Sequence, residues 1–337
     1  MVKKTIKVFA CIVVLCLIIG SAGVVFAQSP VMEGAYSFDV ENGEAALEEW
    51  NRLGYAEGKI VSWHNPYNEP LVIPSTYERC PVTTIKSNTF IDHDGILTEI
   101  VLPYTLTTIE DHGFSFLEAL EKINIPNNVQ TIGDSAFFHC FSLKQIELPD
   151  HIEKISNSCF SNCYALTEFS IPASTTTIGD RAFYACKALK NVHMSNSVEV
   201  MEAYAFSQCT SLTSFTIPEN VTTINDGMFW GCSSMTEIVI PAGVTTIARD
   251  VFRECTSLTS VRYLGTKEQW NAIEIDENGN ETLLELMPQS KSNQKSNQEN
   301  ETDSFPIIPT ILTVAIVGGF VGYWIKKYTR KTPVTEE

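Results

Sequence analysis

The chain has 337 residues, of which 40 are acidic and 23 are basic, so its formal net charge at pH 7 is −17. This balance argues against binding to nucleic acid, because phosphate recognition relies on clustered Lys and Arg. It also argues against loose adsorption to anionic lipids or acidic polymers, and leaves basic partners or divalent cations as the compatible ones.

Residues 1–27 have the pattern of a secretory signal peptide. Three lysines precede an apolar run over residues 8–19, and small residues at the required spacing end the segment at Ala27. Cys16 lies too early in this segment to be a lipoprotein attachment site. We therefore expect export of the chain and cleavage after Ala27.

Residues 28–70 are predicted to cap the N-terminal end of the region that follows. Apolar and polar residues alternate over 36–40, Asn42-Gly43 comes next, and a second alternating stretch begins at Ala45. Asn-Gly between two alternating runs favours a β-hairpin. A helix over residues 43–53 is the alternative, because that stretch is rich in good helix formers.

From residue 97 the sequence repeats itself at a fixed interval of 23 residues, and each copy begins with an apolar strand-like motif. The eight copies start at Leu97, Leu120, Leu143, Leu166, Leu189, Leu212, Met235 and Leu258. A phenylalanine column keeps the same step at Phe114, Phe137, Phe160, Phe183, Phe206, Phe229 and Phe252. A fixed period of this length predicts a solenoid, in which each unit buries its apolar side against its neighbours.

Within one unit the apolar spacing predicts how the chain turns. Ile146 and Leu148 alternate with polar residues, which indicates a short strand with one buried face. A second short apolar stretch follows, and then a Gly-Asp-x-Ala-Phe motif as in residues 179–183. The acidic column of this motif contains Asp111, Asp134, Asn157, Asp180 and Asp226. Its place before a small residue and Phe predicts the N-cap of one helical turn, and a ladder of ligands is the alternative.

The motifs Leu-x-x-Ile-x-Ile-Pro, Val-Thr-x-Ile-Gly-Asp-x-Ala-Phe and x-x-Cys-x-Ser-Leu resemble the BspA-like subclass of leucine-rich repeats over residues 71–264. Residues 71–85 look like the longer first repeat of that family, and residues 265–273 look like its frequent closing segment. Ser195 in place of proline and Thr175 in place of valine are local departures. The resemblance implies a right-handed solenoid with a parallel sheet, surface display, and binding to proteins or cells.

Eight cysteines remain after removal of the signal peptide, and six of them form one column of the repeat. The column contains Cys140, Cys163, Cys186, Cys209, Cys232 and Cys255. Cysteines in an exported protein normally suggest disulfides. Here neighbouring rungs at about 4.8 Å favour buried free thiols stacked in the core over disulfides. Cys159 occupies a column of alanines and is also predicted to be core, which leaves Cys80 as the thiol open to reaction.

Residues 265–288 are predicted to cap the C-terminal end. Thr266 with Gln269 three residues later forms a capping-box pattern, and the short helix that follows would place Trp270 over the last rung. The acidic stretch 276–281 resembles a calcium loop only weakly and is predicted to be a turn.

Three segments complete the chain. Residues 289–304 contain no apolar side chain and are predicted to be a flexible stalk. Residues 305–325 carry no charge and are long enough to cross a bilayer as a helix. The basic residues that follow place the tail, residues 326–337, in the cytoplasm. Gly318 and Gly322 offer a small-xxx-small pair for helix association.

Taken as a whole, the sequence predicts an α/β solenoid: a right-handed leucine-rich repeat superhelix with short parallel strands and short helical turns, followed by one C-terminal transmembrane helix. The search for catalytic, cofactor and metal motifs finds none, since the six histidines are scattered and no nucleophile elbow or phosphate loop occurs. We expect no enzyme activity.

The predicted function is that of a binding or adhesion module for a protein or another cell-surface macromolecule. A structural or self-associating envelope element is the alternative. The outward strand positions form the candidate ligand face: Glu99, Lys122, Gln145, Glu147, Glu168, Asn191, His193, Ser214 and Glu237. The same outward rows contain two apolar residues, Val101 and Val239.

Overall fold

The computed structural model describes a parallel β-solenoid. Backbone is described for residues 8–9, 35–41, 44–51, 55–56, 59–60, 70–77, 79–90 and 97–288, and side chains for 70–76, 79–90 and 97–288. The predicted stalk, membrane span, tail and glycine pair lie outside these residues, as do residues 91–96 and nearly all of the signal peptide. Within the described part of the chain, no helix has the length and apolarity to cross a membrane.

Each rung contributes a first strand whose central residue points inward and whose neighbours point outward. Each of these strands pairs in parallel with a counterpart one rung away, as where Ile100 faces Ile123. This first-strand series comprises Leu71–Val72, Glu99–Val101, Lys122–Asn124, Glu168–Ser170, Asn191–His193, Ser214–Thr216, Glu237–Ile240 and Ser260–Tyr263. The rung between Lys122–Asn124 and Glu168–Ser170 has only a single parallel bridge, from Gln145 to Lys122.

A second strand follows in every rung, and it ends on a buried aliphatic or methionine side chain in most rungs. It also pairs in parallel, as where Ile109 faces Ile132. This second-strand series comprises Cys80–Ile85, Thr108–Ile109, Thr131–Ile132, Lys154–Ile155, Thr177–Ile178, Val200–Met201, Thr223–Ile224, Thr246–Ile247 and Glu274–Ile275.

The third segment of each rung differs from the prediction, because the described rungs contain turns there and no helix. Two columns of residues adopt positive φ, near +57° at His112 and +63° at Phe116 in the first full rung. A left-handed residue cannot continue an α-helix. The N–H groups of Phe114 and Phe116 instead donate to the carbonyls of Ala136 and Phe138 in the next rung, at 2.8 and 2.7 Å. The predicted helical turns are therefore wrong, and a third ladder of hydrogen bonds between rungs replaces them.

The acidic column contributes to this third ladder. The backbone N–H of Asp134 donates to Asp111 Oδ1 at 2.7 Å, and the N–H of Asn157 donates to Asp134 Oδ1 at 2.9 Å. The N–H of Asp180 donates to Asn157 Oδ1 at 3.0 Å. These side chains cap a donor of the next rung, and the predicted N-cap within the same turn is wrong.

The core is organised around one continuous stack of phenylalanine rings. Eight rings from Phe90 to Phe252 lie with successive centroids 5.2–6.2 Å apart and planes within 16° of parallel. All eight are buried. Phe90, which precedes Phe114 by 24 residues, joins the predicted column as its first member. Such ring pairs contribute beyond their buried area.

The N-terminal end is closed by a hairpin, as predicted. Strand Ala35–Glu41 pairs antiparallel with Glu44–Asn51, and Glu41 faces Glu44 across the two-residue connection. The second of these strands continues the solenoid by pairing in parallel with Cys80–Ile85. The alternative of a helix over residues 43–53 is wrong. The remaining short strands pair antiparallel and are Val8–Phe9, Tyr55–Ala56, Lys59–Ile60 and Thr76–Tyr77.

The C-terminal end is closed by two short helices, α1 at Lys267–Ala272 and α2 at Glu281–Leu286. The predicted capping box is present, because Gln269 N donates to Thr266 Oγ1 at 3.3 Å and Thr266 N donates to Gln269 Oε1 at 2.8 Å. Trp270 is only 1% exposed, which confirms its packing role.

The predicted turn at residues 276–281 lies in a segment that extends the solenoid beyond the last repeat. Buried Asn280 accepts a hydrogen bond from the N–H of Phe252 at 3.2 Å and donates to the carbonyls of Ala248 and Asp276, both at 2.7 Å. One side chain thus satisfies three backbone groups at the otherwise open end of the array.

Phe183→Asp should unfold the solenoid from its middle. The ring is fully buried, between Phe160 at 5.5 Å and Phe206 at 5.2 Å. Loss of a buried ring costs about 3–5 kcal/mol, and a carboxylate placed there has no partner. Urea unfolding of a chain without residues 1–27 and 305–337 measures the change. Lys190→Asp at an exposed site is the control, and equal midpoints for the two variants would contradict the stacked-core model.

Candidate functional site

Seven of the nine residues of the candidate ligand face lie on the first-strand series, and Gln145 and Glu147 lie on the rung that keeps only a single bridge. Their strands are in register, so that Glu168 faces Asn191 and Ser214 faces Glu237 across neighbouring rungs. Seven of the nine are exposed, and Glu99 and Glu237 are half-buried. The predicted rows are therefore real rows of adjacent side chains, spaced one rung apart.

Most charged side chains of the ligand face form no ion pair with another described residue. Lys122 Nζ lies 2.9 Å from Glu99 Oε1, with both side chains partly exposed. Among the described residues, Glu147, Glu168 and Glu237 form no ion pair. Three carboxylates thus remain available to a partner.

The two apolar residues of these rows behave differently. Val101 is 40% exposed, as predicted, whereas Val239 is 5% exposed and belongs to the core. Val239 faces Arg262 in the last pair of first strands.

The cysteine column is inert, as the sequence indicates. The seven buried cysteines are free thiols. In the column, each Sγ–H donates to the carbonyl of a phenylalanine in the preceding rung, at 3.2 Å from Cys140 to Phe114 and 3.1 Å from Cys255 to Phe229. Burial raises the pKa of both thiols to about 12. The thiolate that nucleophilic or metal chemistry requires is therefore suppressed near neutral pH. Cys80 is half-buried.

No group of three or more His, Cys, Asp or Glu in the described part of the chain is arranged to hold a metal ion. His139 lies among aromatic rings, 4.0 Å from the ring centroid of Phe138 and 5.0 Å from that of Phe141. Burial lowers the pKa of His139, against the opposing effect of Glu118. A histidine in this setting packs as a neutral ring.

A second surface lies one position after the core phenylalanines, and sequence reasoning missed it. Large aromatic residues alternate there with serines from rung to rung. The aromatic row consists of Phe138, Tyr184 and Trp230, all half-buried. The serines of the alternating rungs are Ser115, Ser161 and Ser207, all buried. The signal is a 46-residue period, which is twice the repeat and is hidden when each column is read for one residue type.

The aromatic row borders a concavity of about 480 Å³ between the rings. Its lining is Phe138, Ser158, Ser161, Asn162, Arg181, Tyr184, Tyr204 and Trp230. The guanidinium of Arg181 lies 4.8 Å from the Tyr204 ring centroid, and that of Arg253 lies 5.3 Å from the Trp230 ring. Such contacts hold exposed rings in place.

The Tyr204 ring also requires the glycine of the next rung. Gly227 has φ +56°, and a Cβ on it would lie 2.2 Å from Tyr204 Cε1. The absence of a side chain therefore serves both the left-handed turn and the position of the ring.

The arginines beside the aromatic row pair with aspartates, and Glu202 adds a further carboxylate, which accepts a hydrogen bond from the N–H of Asp180 at 3.1 Å. Arg181 pairs with Asp180. Arg253 Nη1 lies 3.2 Å from Asp250 Oδ1. Trp230 Nε1 is buried without a hydrogen-bond acceptor among the described residues. The surface is thus aromatic, with paired arginines and one unsatisfied donor.

The repeats match the model of a known protein family. The model for the BspA type leucine rich repeat region matches residues 83–187 and 153–273, in six copies, and so covers more than half of the chain. The chain belongs to the BspA-type leucine-rich repeat family. The resemblance noted from the sequence motifs is thereby confirmed.

Similar solved structures include bacterial leucine-rich repeat proteins. The protein of T. pallidum is 23% identical, with 66% of this chain and 88% of that chain covered and a TM-score of 0.47. A protein of Bacteroides ovatus ATCC 8483 is 22% identical, with 75% of this chain and 78% of that chain covered and a TM-score of 0.44. The pneumococcal vaccine antigen PcpA is 18% identical, with 68% of each chain covered and a TM-score of 0.43. No curated protein matches the chain.

The BspA-type pattern accounts for the inward columns and leaves the two surfaces open. The phenylalanine and cysteine columns are positions that the repeat motif specifies, and both are buried. The ligand face and the aromatic row occupy positions that the motif leaves unspecified.

Raising the pH above 9 should destabilise this BspA-type solenoid through its thiols. The ordinary thiol pKa is near 9.0, and burial raises it to about 12 at Cys140 and Cys255. As the pH rises, the unfolded chain releases these thiol protons before the folded chain does. The contribution of the two thiols to folding stability is therefore complete below pH 9 and is lost as the pH rises towards 12. Between pH 9 and 12, each thiol lowers the free energy of unfolding by about 1.4 kcal/mol for every pH unit.

Urea midpoints at pH 8, 9.5 and 10.5 measure this dependence. A Cys140→Ala/Cys255→Ala variant should show a shallower decline, since two titrating groups are gone while tyrosines and lysines are unchanged. Identical slopes for parent and variant would show that these thiols do not titrate differently in the folded chain.

Gly227→Ala should destabilise the rung that carries Tyr204. The new methyl would meet the tyrosine ring at 2.2 Å on a left-handed backbone, and the cost should exceed about 1 kcal/mol. Gly243→Ala is the matched control, because its nearest atom is Glu219 O at 3.3 Å and its φ is not left-handed. Chemical unfolding measures both, and equal effects would remove the special role of Gly227.

Proposed function

We propose that the chain is a membrane-anchored extracellular BspA-type protein that binds a macromolecular partner through its candidate ligand face. The observation that carries this proposal is the register of the first-strand series, which sets polar side chains side by side over successive rungs. The scaffold beneath them is packed with apolar columns and offers little freedom to adapt. A preorganised surface of this kind loses little entropy on binding.

The proposed location rests on sequence pattern. A leader-like segment at 1–27, an uncharged segment at 305–325 and a basic tail predict export, a single span and a short cytoplasmic end. The polar segment 289–304 between repeats and span has an expected root-mean-square reach of about 22 Å as a coil. A stalk of that reach would hold the solenoid away from the bilayer.

We also propose that the protein is not a catalyst. Its buried titratable groups within the described residues are mainly thiols with raised pKa values, and neutral thiols do not serve as nucleophiles or ligands. The exposed carboxylates stand in open rows on strands, where water reaches them. Binding is the function that such rows support.

The charge of the exported part favours a basic or cation-bridged partner. Removal of three basic residues in the leader and four in the tail leaves 16 of 23, and removal of two acidic residues in the tail leaves 38 of 40. The net charge between leader and span is then −22. Electrostatic attraction between this acidic part and a basic partner is screened beyond about 8 Å at physiological salt. Association should therefore slow as salt rises, while dissociation changes little.

A structural or self-associating role is the second candidate function, and the aromatic row favours it. Aromatic and Arg side chains are the usual anchors of protein interfaces. The ligand face has neither, whereas Tyr184, Trp230 and Arg181 lie together on the other surface.

Replacement of Glu99, Glu147, Glu168 and Glu237 with Gln should weaken partner capture and leave melting unchanged. These side chains are partly or fully exposed, and the single ion pair lost is a surface pair worth at most about 1 kcal/mol. An array of purified basic and acidic extracellular proteins is tested for binding to the immobilised chain, at low and high salt. We expect slower association with basic proteins for the variant.

The matched control replaces four exposed glutamates elsewhere with Gln: Glu153, Glu199, Glu219 and Glu274. It changes the net charge equally and leaves the ligand face intact. If both variants weaken capture to the same degree, net charge acts without a defined face. If neither does, the ligand face is not the binding site.

A further inference from the structure

We propose that the solenoid contains a hinge at the joint between residues 189–211 and residues 212–234, called here the central joint. The two rungs stay connected along their turn segments, and the joint opens along both strand series. The backbone hydrogen bonds between these rungs and the packing of the core both single out this joint. The hinge is independent of the proposed binding function, because it involves no partner.

The first-strand series is interrupted at the central joint. One sheet ends with Asn191–His193 and another begins with Ser214–Thr216. On the rung that follows, the N–H of Thr236 donates to Thr213 O at 2.8 Å. Within the described residues, the N–H of Thr213 forms no equivalent bond to Lys190 O across the central joint. The two first strands are therefore not held together by their backbone.

The second-strand series is interrupted at the same joint. One sheet ends with Val200–Met201 and the next begins with Thr223–Ile224. One rung later the N–H of Thr245 donates to Thr222 O at 2.8 Å, whereas no bond from Thr222 N to Glu199 O is present in the described part of the chain. Both strand sides of the central joint thus lack the ladder that joins the neighbouring rungs.

Among the eight repeats that the structure describes, no other joint lacks both strand ladders. One joint keeps the bridge from Lys122 to Gln145, although its second strands are unpaired. Another keeps the parallel pair of Lys154–Ile155 and Thr177–Ile178, although its first strands are unpaired. A solenoid is stabilised by the interfaces between neighbouring rungs. The central joint is therefore the place where opening breaks the fewest backbone hydrogen bonds.

The third ladder crosses the central joint and holds its turn side. The N–H of Tyr204 donates to Asp226 O at 2.8 Å. On the second-strand side a side chain replaces the backbone donor, because Asn225 Nδ2 donates to Met201 O at 2.6 Å. A side-chain amide can change rotamer, so this bond does not fix the distance between the strands. The turn segments therefore form the axis of the hinge.

The phenylalanine stack is also widest at the central joint. The ring centroids of Phe206 and Phe229 lie 6.2 Å apart, further than in any other pair of the stack. On the first-strand side Val192 is half-buried, whereas its counterparts Phe169 and Phe215 in the rungs on either side are buried. Wider spacing weakens the dispersion attraction between the two rungs, so opening here costs less free energy.

Phe215 explains the gap between the first strands. Its ring enters the core at a position that is Ile or Val in six of the eight repeats. The ring centroid lies 5.0 Å from that of Phe206 and 4.9 Å from that of Phe229, so the ring stands between the two rungs. Strand Glu168–Ser170 carries the other phenylalanine of this position, and it likewise pairs with no described strand of the preceding rung. A bulky ring at this position therefore keeps first strands apart.

The central joint divides the ligand face. Glu168 and Asn191 lie before it, Ser214 and Glu237 lie after it, and each pair is held in register by its own ladder. Opening of the joint changes the distance between the two pairs and leaves the spacing within each pair unchanged. The freedom of the scaffold is thus confined to one place between two stiff stacks.

Distances between spin labels test the hinge in the full chain in detergent. Labels at Asp150→Cys and Ala242→Cys span four rungs and include the central joint. Labels at Tyr104→Cys and Asn196→Cys span four rungs without it, and all four sites are exposed. At about 4.8 Å per rung, both pairs are separated by about 19 Å. We expect a distance distribution at least twice as wide for the pair that spans the joint.

Phe215→Ile should bring the first strands together and narrow the wide distribution to the width of the other pair. Phe169→Ile makes the same change in the same column outside the joint, and as the control it should leave the distribution wide. Circular dichroism melting checks that each variant is folded. Every sample carries Ser in place of Cys11, Cys16 and Cys80, and the seven buried thiols should not react with the label.

Hydrogen exchange of the unaltered chain provides a second measurement. The amides of Thr213 and Thr222 should exchange at least tenfold faster than those of Thr236 and Thr245, their bonded counterparts one rung later. Equal widths for the two label pairs, or equal exchange at these amides, would overturn the hinge. A wide distribution that Phe215→Ile does not narrow would overturn the role of that ring. No partner is present in either experiment, so failure of the ligand face to bind would not affect the result.

Discussion

The fold depends on backbone hydrogen bonds between rungs, which hold equivalent residues of successive rungs side by side. First strands, second strands and left-handed turns each donate to the adjacent rung, as from Phe114 N to Ala136 O. In the central rungs a constant step of 23 residues keeps all three ladders in register, whereas the end rungs pair over longer steps, as from Ile85 to Ile109 and from Ile247 to Ile275. The constant step stacks side chains of one column on one another. The phenylalanine stack and the thiol column follow from it.

Because the ladders hold the backbone, inward and outward columns have separate tasks. An inward change is felt by two neighbouring rungs, as at Phe183 between Phe160 and Phe206. An outward change meets mainly solvent, as at Glu168 or His193. Recognition can therefore vary over the surface while the core stays constant. This separation explains why membership of the family predicts the architecture and does not name a ligand.

The sequence predicts those parts of the structure in which residue type and spacing have one physical meaning. Apolar alternation located the strands, Asn42-Gly43 the hairpin, and Thr266 with Gln269 the capping box. The turn segment failed because cap residues also suit left-handed turns, and here non-glycine residues such as Ser135 and Phe116 adopt positive φ. The closing role of Asn280 was hidden because its partners are backbone groups of an earlier rung. The rows of the ligand face were located correctly, whereas the aromatic row escaped because its period is two repeats.

The two outward surfaces differ in the distance at which they act. Unpaired carboxylates of the ligand face exert a field over several ångströms of water and so influence the rate of encounter. Tyr184 and Trp230 act only at contact, through shape and dispersion. One solenoid can therefore carry both surfaces without conflict, because they lie on different segments of each rung and a change in one row leaves the other intact.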